Sequence, residues 1–134
     1  SYTSSNELAE YYSSADLYIH SSHIETWGLA ISEALSCGIP VIASSVGAIP
    51  EQIRGYNRGM KNELLNLYQL NHANGFLFER KDSETLYALI LWCLKNEKRL
   101  KILGENARKF AKTHLDINKQ IPNYIDYYRK LLSS

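Results

Sequence analysis

Glu25 and Glu33 stand on either side of a lone glycine, Gly28, in the stretch HIETWGLAISEALSCGIPVIAS, residues 23–44. The glycine separates a short apolar run, Leu17-Tyr18-Ile19-His20, from a helical pattern that begins at Leu29. A strand, a loop, a glycine and a helix in that order expose the unpaired N–H groups and the positive dipole end of the helix, and glycine lets a ligand approach the backbone closely. Such a junction suits a phosphate. Glu33 lies one turn into the helix, and helical side chains tilt back toward the amino end, so its carboxylate reaches a group bound there. Two neighbouring hydroxyls, as on a ribose, can both donate charge-assisted hydrogen bonds to one carboxylate. Glu25, on the other side of the glycine, faces whatever extends beyond the phosphate. Acids beside a diphosphate need hydroxyls to accept from, so the pair points to a nucleotide joined to a sugar.

The elements that must hold these residues follow from periodicity. Ser4-Ser5-Asn6-Glu7 reads as a capping box, and Leu8, Tyr11, Tyr12 and Ala15 continue a helix over about residues 5–14. Leu17 to His20 is a strand, Leu29 to Cys37 a helix with Gly38 as its left-handed terminator and Pro40 just beyond. Val41-Ile42-Ala43 is apolar throughout, as in a parallel strand covered on both faces. A loop, Ser44 to Ile49, leads to a helix opened by Pro50 and Glu51. Residues 54–73 lack a clear period beyond a leucine–tyrosine cluster, Leu64 to Leu70, and read as an insertion. Asn74-Gly75 is expected to turn into a strand, Phe76-Leu77-Phe78. Helices follow over Glu84 to about Lys95, capped by Asp82 or Ser83, and over about 97–113. A last amphipathic helix carries Ile121, Tyr124, Ile125, Tyr128, Leu131 and Leu132. Helices alternating with apolar strands predict an α/β, Rossmann-like parallel sheet flanked by helices.

Length and composition exclude several other classes. A chain of 134 residues with 45% apolar and 22% charged residues is sized for one ordinary domain, and 15 basic against 14 acidic residues favour neither nucleic acid nor an acidic polymer. Cys37 and Cys93 sit inside apolar helical patterns with no ligand spacing around them, which fits reduced core thiols and a cytoplasmic setting. No apolar run reaches the ~20 residues that span a bilayer, and no signal segment is expected. The chain opens without methionine and shows only three strands, so a parent protein with further strands upstream is expected.

The ordered motifs carry a resemblance. Glu25-Thr26-Trp27-Gly28-Leu29, Ser32-Glu33-Ala34-Leu35, Gly38-Ile39-Pro40-Val41-Ile42-Ala43-Ser44 and Val46-Gly47-Ala48-Ile49-Pro50-Glu51 resemble the donor-binding domain of GT-B-fold retaining glycosyltransferases, family 4. Tyr11 to Leu17 upstream and Asn74 to Leu77 and Asn106-Ala107-Arg108 downstream agree in order, so the likeness covers nearly the whole chain. It implies a nucleotide-diphosphate sugar donor, transfer to a glycan or lipid-linked acceptor with retention of configuration, and no metal or other cofactor, in keeping with the lack of a D-x-D stretch. Glu25 is matched to the acid that contacts the transferred hexose, and Glu33 to the acid that holds the ribose. Backbone N–H groups of Trp27, Gly28, Leu29 and Ala30 are matched to the sugar hydroxyls and the diphosphate. The basic pair that grips the diphosphate and the acceptor site belong, in the family, to regions that match nothing here, so this stretch alone is expected to be inactive. Residues 1–116 are expected to form the partial donor domain, and residues 117–134 a helix that packs back toward an amino-terminal domain.

Other readings stay open at this level. A nucleotide-sugar epimerase of the same fold, or a non-catalytic sugar-nucleotide-binding domain, would share these motifs. The Trp27 ring suits packing as well as ligand contact, and His20 and His23 are read as structural. The basic residues between Lys95 and Lys112 are read as a solvated face, with peripheral contact at the cytoplasmic face of a membrane as the alternative.

Overall fold

The computed structural model of the chain describes residues 4–55 and 71–133. Three parallel strands form its sheet in the order β1-β2-β3: β1 (Tyr18–His20), β2 (Val41–Ser44) and β3 (Gly75–Phe78). Tyr18 pairs with Val41 and Val41 with Gly75, which aligns the carboxyl ends of all three strands. The helices are α1 (Ser5–Ser13), α2 (Leu29–Ser36), the single turn α3 (Ile49–Gln52), α4 (Ser83–Lys95), α5 (Glu97–Phe110) and α6 (Ile117–Leu132). The parallel α/β reading therefore holds. The insertion over 54–73 and its leucine–tyrosine cluster lie largely outside the described residues.

Alternation along the strands divides the core in two. Val41, Ala43 and Leu77 point to one face, where Ile31, Ala34 and Leu35 of α2 meet Ala107 and Phe110 of α5. Ile42, Phe76 and Phe78 point to the other, against Leu89, Trp92 and Cys93 of α4. A period of two with every residue buried is why β2 reads as a continuous apolar run. Phe76 and Trp92 meet edge to face, centroids 5.3 Å apart. Each fully buried side chain of this size contributes about 1.5–3 kcal/mol of hydrophobic stabilisation.

Local signals account for most boundaries. Ser4 and Glu7 make the reciprocal capping box expected at α1, and Asp82 rather than Ser83 caps α4 by accepting from Thr85 N–H. Gly38 takes a left-handed conformation after α2. Arg108 donates to the Ser36 carbonyl at the end of α2, so part of the basic run serves that helix's carboxyl terminus.

Two expectations need correction. Gly75 is the first residue of β3 and has no left-handed backbone, so Asn74-Gly75 is not a glycine turn; the Asn74 side chain is fully buried and works as a clamp. The helix over 97–113 also ends early, at Phe110, and continues as a π-helical turn over Ala111–Leu115. Side chains bond carbonyls beside and within this turn: Gln120 donates to His114 O at 3.2 Å and Thr113 to Lys109 O at 2.8 Å. No helix among the described residues is long and apolar enough to cross a membrane.

Candidate functional site

The loops beyond the carboxyl ends of β1 and β2 converge on the start of α2, the place where open parallel sheets bind ligands. Gly28 occupies the cap position of α2 with φ 79° and ψ 67° and offers no side chain to the first turn. A serine or aspartate there would cap those donors itself. Instead, the N–H groups of Trp27, Gly28, Leu29 and Ala30 meet no acceptor among the described residues. The sequence-predicted backbone donors thus stand together and uncapped.

Glu25 is half-buried beside Gly28: a Cβ built on Gly28 would lie 3.5 Å from Glu25 Cγ. Its Oε1 accepts from Thr26 N–H at 3.0 Å, and its Oε2 lies 3.3 Å from His20 Nε2. That second contact has ion-pair distance without hydrogen-bond geometry, and His20 Nε2 is buried with no other partner among the described residues. On the far side, Glu33 is exposed and its Oε2 accepts from Tyr12 O–H at 3.1 Å.

A row of rings joins the two acids. From Tyr12 it passes edge to face to Tyr18, centroids 5.8 Å apart, and Tyr18 O–H shares a 3.2 Å hydrogen bond with His20 Nδ1, whose ring then reaches Glu25. Burial pushes the Tyr12 phenol far above its usual value, reinforced by its hydrogen bond to Glu33 and that carboxylate's charge. Burial also raises Tyr18, and the negative charges of both Glu33 and Glu25 add to it. The structure therefore brings Glu25, Gly28 and Glu33 into one region, with α1 and β1 supplying the contacts that hold them.

The loop after β2 supports this arrangement from behind. Gly47, at φ 53°, lies so close to the Glu25 carbonyl that a Cβ would fall 1.8 Å from its oxygen, and Ala48 N–H donates to Thr26 O at 3.2 Å. Ser44 O–H donates to Ser22 O at 2.7 Å, tying β2 to the segment leaving β1. His23 and Leu29 are exposed and Ala30 is half-buried.

Trp27, left open between packing and contact, has a defined partner. Its indole N–H donates to Ser32 Oγ at 3.2 Å, Ser32 O–H donates to Gln52 Oε1 at 2.8 Å, and Gln52 Nε2 donates back to Trp27 O. Gln52 is fully buried, and Asn74 Nδ2 donates to its backbone carbonyl at 2.9 Å. The side chains around the candidate site that sequence reasoning missed are Tyr12, Tyr18, Ser32, Gln52 and Asn74. Gln52 carried a signal: an amide between Ile49 and Ile53 on the inward side of a turn must find buried partners.

Two further observations bear on ligands. Among the described residues, no three His, Cys, Asp or Glu side chains are grouped to hold a metal. A hollow of about 760 Å³ lined by Ala15, Gly38, Pro40, Leu94 and Arg108 opens at the amino ends of the strands, away from the acids.

Comparison with known proteins converges on one description. The family profile for glycosyl transferases group 1 matches residues 1–110. Sulfoquinovosyl transferase SQD2 of Arabidopsis thaliana is 32% identical over 104 residues, 78% of this chain and 18% of that protein. N-acetyl-alpha-D-glucosaminyl L-malate synthase of Bacillus anthracis is 28% identical over 127 residues, 95% of this chain and 29% of that protein. Among solved structures, sucrose-phosphate synthase of Thermosynechococcus elongatus superposes with a TM-score of 0.73 at 27% identity over 94% of this chain and 28% of that one. Anabaena HepE in complex with UDP-glucose does so with a TM-score of 0.66 at 26% identity, over 90% of this chain and 30% of that one. The chain thus spans less than a third of the length of these relatives.

Proposed function

The chain belongs to the glycosyl transferases group 1 family, and on that premise we propose that it is the donor-binding part of a retaining glycosyltransferase acting on a nucleotide-diphosphate sugar. The observation that carries this reading is the uncapped start of α2, four backbone donors without acceptors among the described residues, set between Glu25 and Glu33. Anionic oxygens of a diphosphate satisfy such donors, and the helix dipole favours them further. HepE, a structural neighbour, holds UDP and UDP-glucose.

The family resemblance supplies the role of each residue, and the geometry supports it. Glu33, one oxygen held by Tyr12, keeps its second oxygen for the ribose hydroxyls. Glu25, fixed by Thr26 N–H and flanked by His20, accepts from hydroxyls of the transferred hexose. As the glycosidic bond breaks, positive charge grows on the sugar and negative charge on the leaving diphosphate. N–H groups already aimed at the diphosphate stabilise the charge where it develops, and a carboxylate near the sugar opposes the positive charge. The acceptor, a glycan or a lipid-linked molecule, meets the donor through another part of the parent protein, so this stretch alone binds without transferring. The chemistry needs no metal in this reading, since backbone donors and basic groups from the rest of the protein neutralise the diphosphate. A cytoplasmic enzyme fits the nucleotide-sugar supply, and the exposed basic residues Lys98, Lys101, Lys109 and Lys112 give it a means of peripheral contact with an anionic membrane face.

The test is calorimetric titration of the full-length parent protein with UDP-glucose and with GDP- and ADP-linked sugars, followed by product analysis. Binding with hydrolysis or transfer supports the proposal. An isomerised donor would indicate an epimerase, and binding without turnover a sugar-nucleotide-binding protein.

A further inference from the structure

The hydrogen bonds around Trp27 form a closed ring, and one member of it acts on the donor cradle. The Trp27 carbonyl can only accept, so the Gln52 side chain must turn its nitrogen toward it and its oxygen toward the Ser32 hydroxyl. That single amide, 0% exposed, therefore fixes the peptide plane between Trp27 and Gly28. Among the described residues no peptide bond is cis, and in a trans peptide the carbonyl and the following N–H point in opposite directions. Holding Trp27 O on the buried amide consequently directs the Gly28 N–H away from it, and this N–H has no acceptor among the described residues. Glycine at φ 79° lacks the Cβ that would otherwise narrow its choice of peptide orientation, so the plane needs an external anchor. The anchor is itself anchored: Asn74 donates to the Gln52 carbonyl at 2.9 Å and accepts from Arg54 N–H at 2.6 Å, which joins α3 to the start of β3.

We propose that Gln52 is a positioning residue for the donor diphosphate, its side-chain amide holding the Trp27–Gly28 peptide so that the Gly28 N–H is presented to the ligand. This rests on the reading of the α2 start as a diphosphate cradle. Ser32 completes the ring by orienting the Gln52 oxygen and, through the Trp27 indole, the ring beside the cradle.

The experiment uses the intact polypeptide labelled with ¹⁵N, with UDP, GDP and ADP as probes. Wild type, Gln52→Met, Gln52→Glu and Ser32→Ala are compared for diphosphate affinity, for movement of the Gly28 amide resonance on binding, and for unfolding midpoint. Methionine keeps the length of glutamine and fills its space without a donor, so the expected result is roughly a tenfold weaker Kd and a markedly smaller Gly28 shift in a folded protein. Gln52→Glu sets an acceptor against the Trp27 carbonyl and should weaken binding further. Ser32→Ala leaves the Gln52 to Trp27 bond in place and should cost only about threefold; where Gln52→Met fails to fold, the isosteric Gln52→Glu serves, and there an unchanged Kd together with a wild-type Gly28 shift would overturn the proposal. A folded Gln52→Met with wild-type affinity and Gly28 shift overturns it as well. Glu33→Ala separates the two levels. If wild type binds the probes and Glu33→Ala weakens them while Gln52→Met does not, only the role of Gln52 falls; if wild type binds none, the cradle reading falls and takes this inference with it.

Discussion

Replacing Gly47 with alanine tests whether the loop after β2 braces the Glu25 backbone. Two costs arise at this position. The first is conformational: φ 53° is left-handed, which costs an L-residue about 1–2 kcal/mol. The second is steric, since the added Cβ would sit 1.8 Å from the Glu25 carbonyl oxygen and 2.9 Å from its carbon. The loop must withdraw by more than about 1 Å to restore an ordinary contact, and the 3.2 Å bond from Ala48 N–H to Thr26 O beside it is then stretched beyond hydrogen-bond range. Losing that bond adds about 0.5–1.5 kcal/mol, for an expected total near 2–3 kcal/mol in urea unfolding of the intact polypeptide. Gly38 provides the internal control: its φ is 79°, yet the nearest atoms to a Cβ there are 3.6 and 3.7 Å away. Gly38→Ala should therefore cost the conformational share alone. Gly47→Asn, which tolerates the left-handed region but keeps the Cβ, should recover part of the stability and none of the activity. Because a displacement of 1 Å at a reacting centre can cost about 10²-fold in rate, turnover of Gly47→Ala should fall by roughly that factor. Equal stability losses for Gly47→Ala and Gly38→Ala, with turnover unchanged in both, would refute the bracing argument.

Other substitutions probe the remaining contacts. Glu33→Ala should weaken nucleotide-sugar binding about 10-fold to 150-fold, the worth of hydrogen bonds to a charged acceptor, as read by calorimetry. Glu25→Gln should slow turnover while leaving donor affinity within a few-fold, and steady-state kinetics would separate the two. Tyr12→Phe removes the 3.1 Å bond that orients Glu33 and should weaken donor binding two- to tenfold. Burial pushes the Cys93 thiol up to about 11 from 9.0, so it should resist a disulfide reagent at pH 8 while half-buried Cys37 reacts first. Because that pKa is raised in the folded state, its stabilising contribution is full below pH 9 and is lost as pH climbs through about 11; urea midpoints across that window would show the fall.

What the sequence disclosed was what periodicity and local chemistry control. The β2 run is apolar because both of its faces are covered, and Ser4 with Glu7 marks a helix start through bonds within four residues. The placement of Glu25 and Glu33 about Gly28 was legible because all three lie along one strand–loop–helix segment. The contacts that hold the acids were not. Tyr12 meets Glu33 across 21 positions, and Ser32 meets Gln52 across 20; no spacing rule predicts side chains that meet only after helices pack on a sheet. The π-helical turn escaped for the opposite reason. Its sequence suits an ordinary helix, and partners beyond it, Lys119 donating to Lys112 O and Gln120 to His114 O, make the wider turn tolerable.

The bonds between Arg54 and Asn74 have a consequence for how this chain can vary. Asn74 N–H donates to Arg54 O at 2.7 Å while its side chain accepts from Arg54 N–H, so the two ends of the intervening segment are stapled together whatever lies between them. Once a loop's ends are fixed, each doubling of its length adds only about 0.6 kcal/mol of closure entropy. The bonds that fix Gln52 from this side therefore come from Arg54 and Asn74 themselves and not from the number of residues between them. The length of that sequence can change without disturbing the buried amides of Gln52 and Asn74.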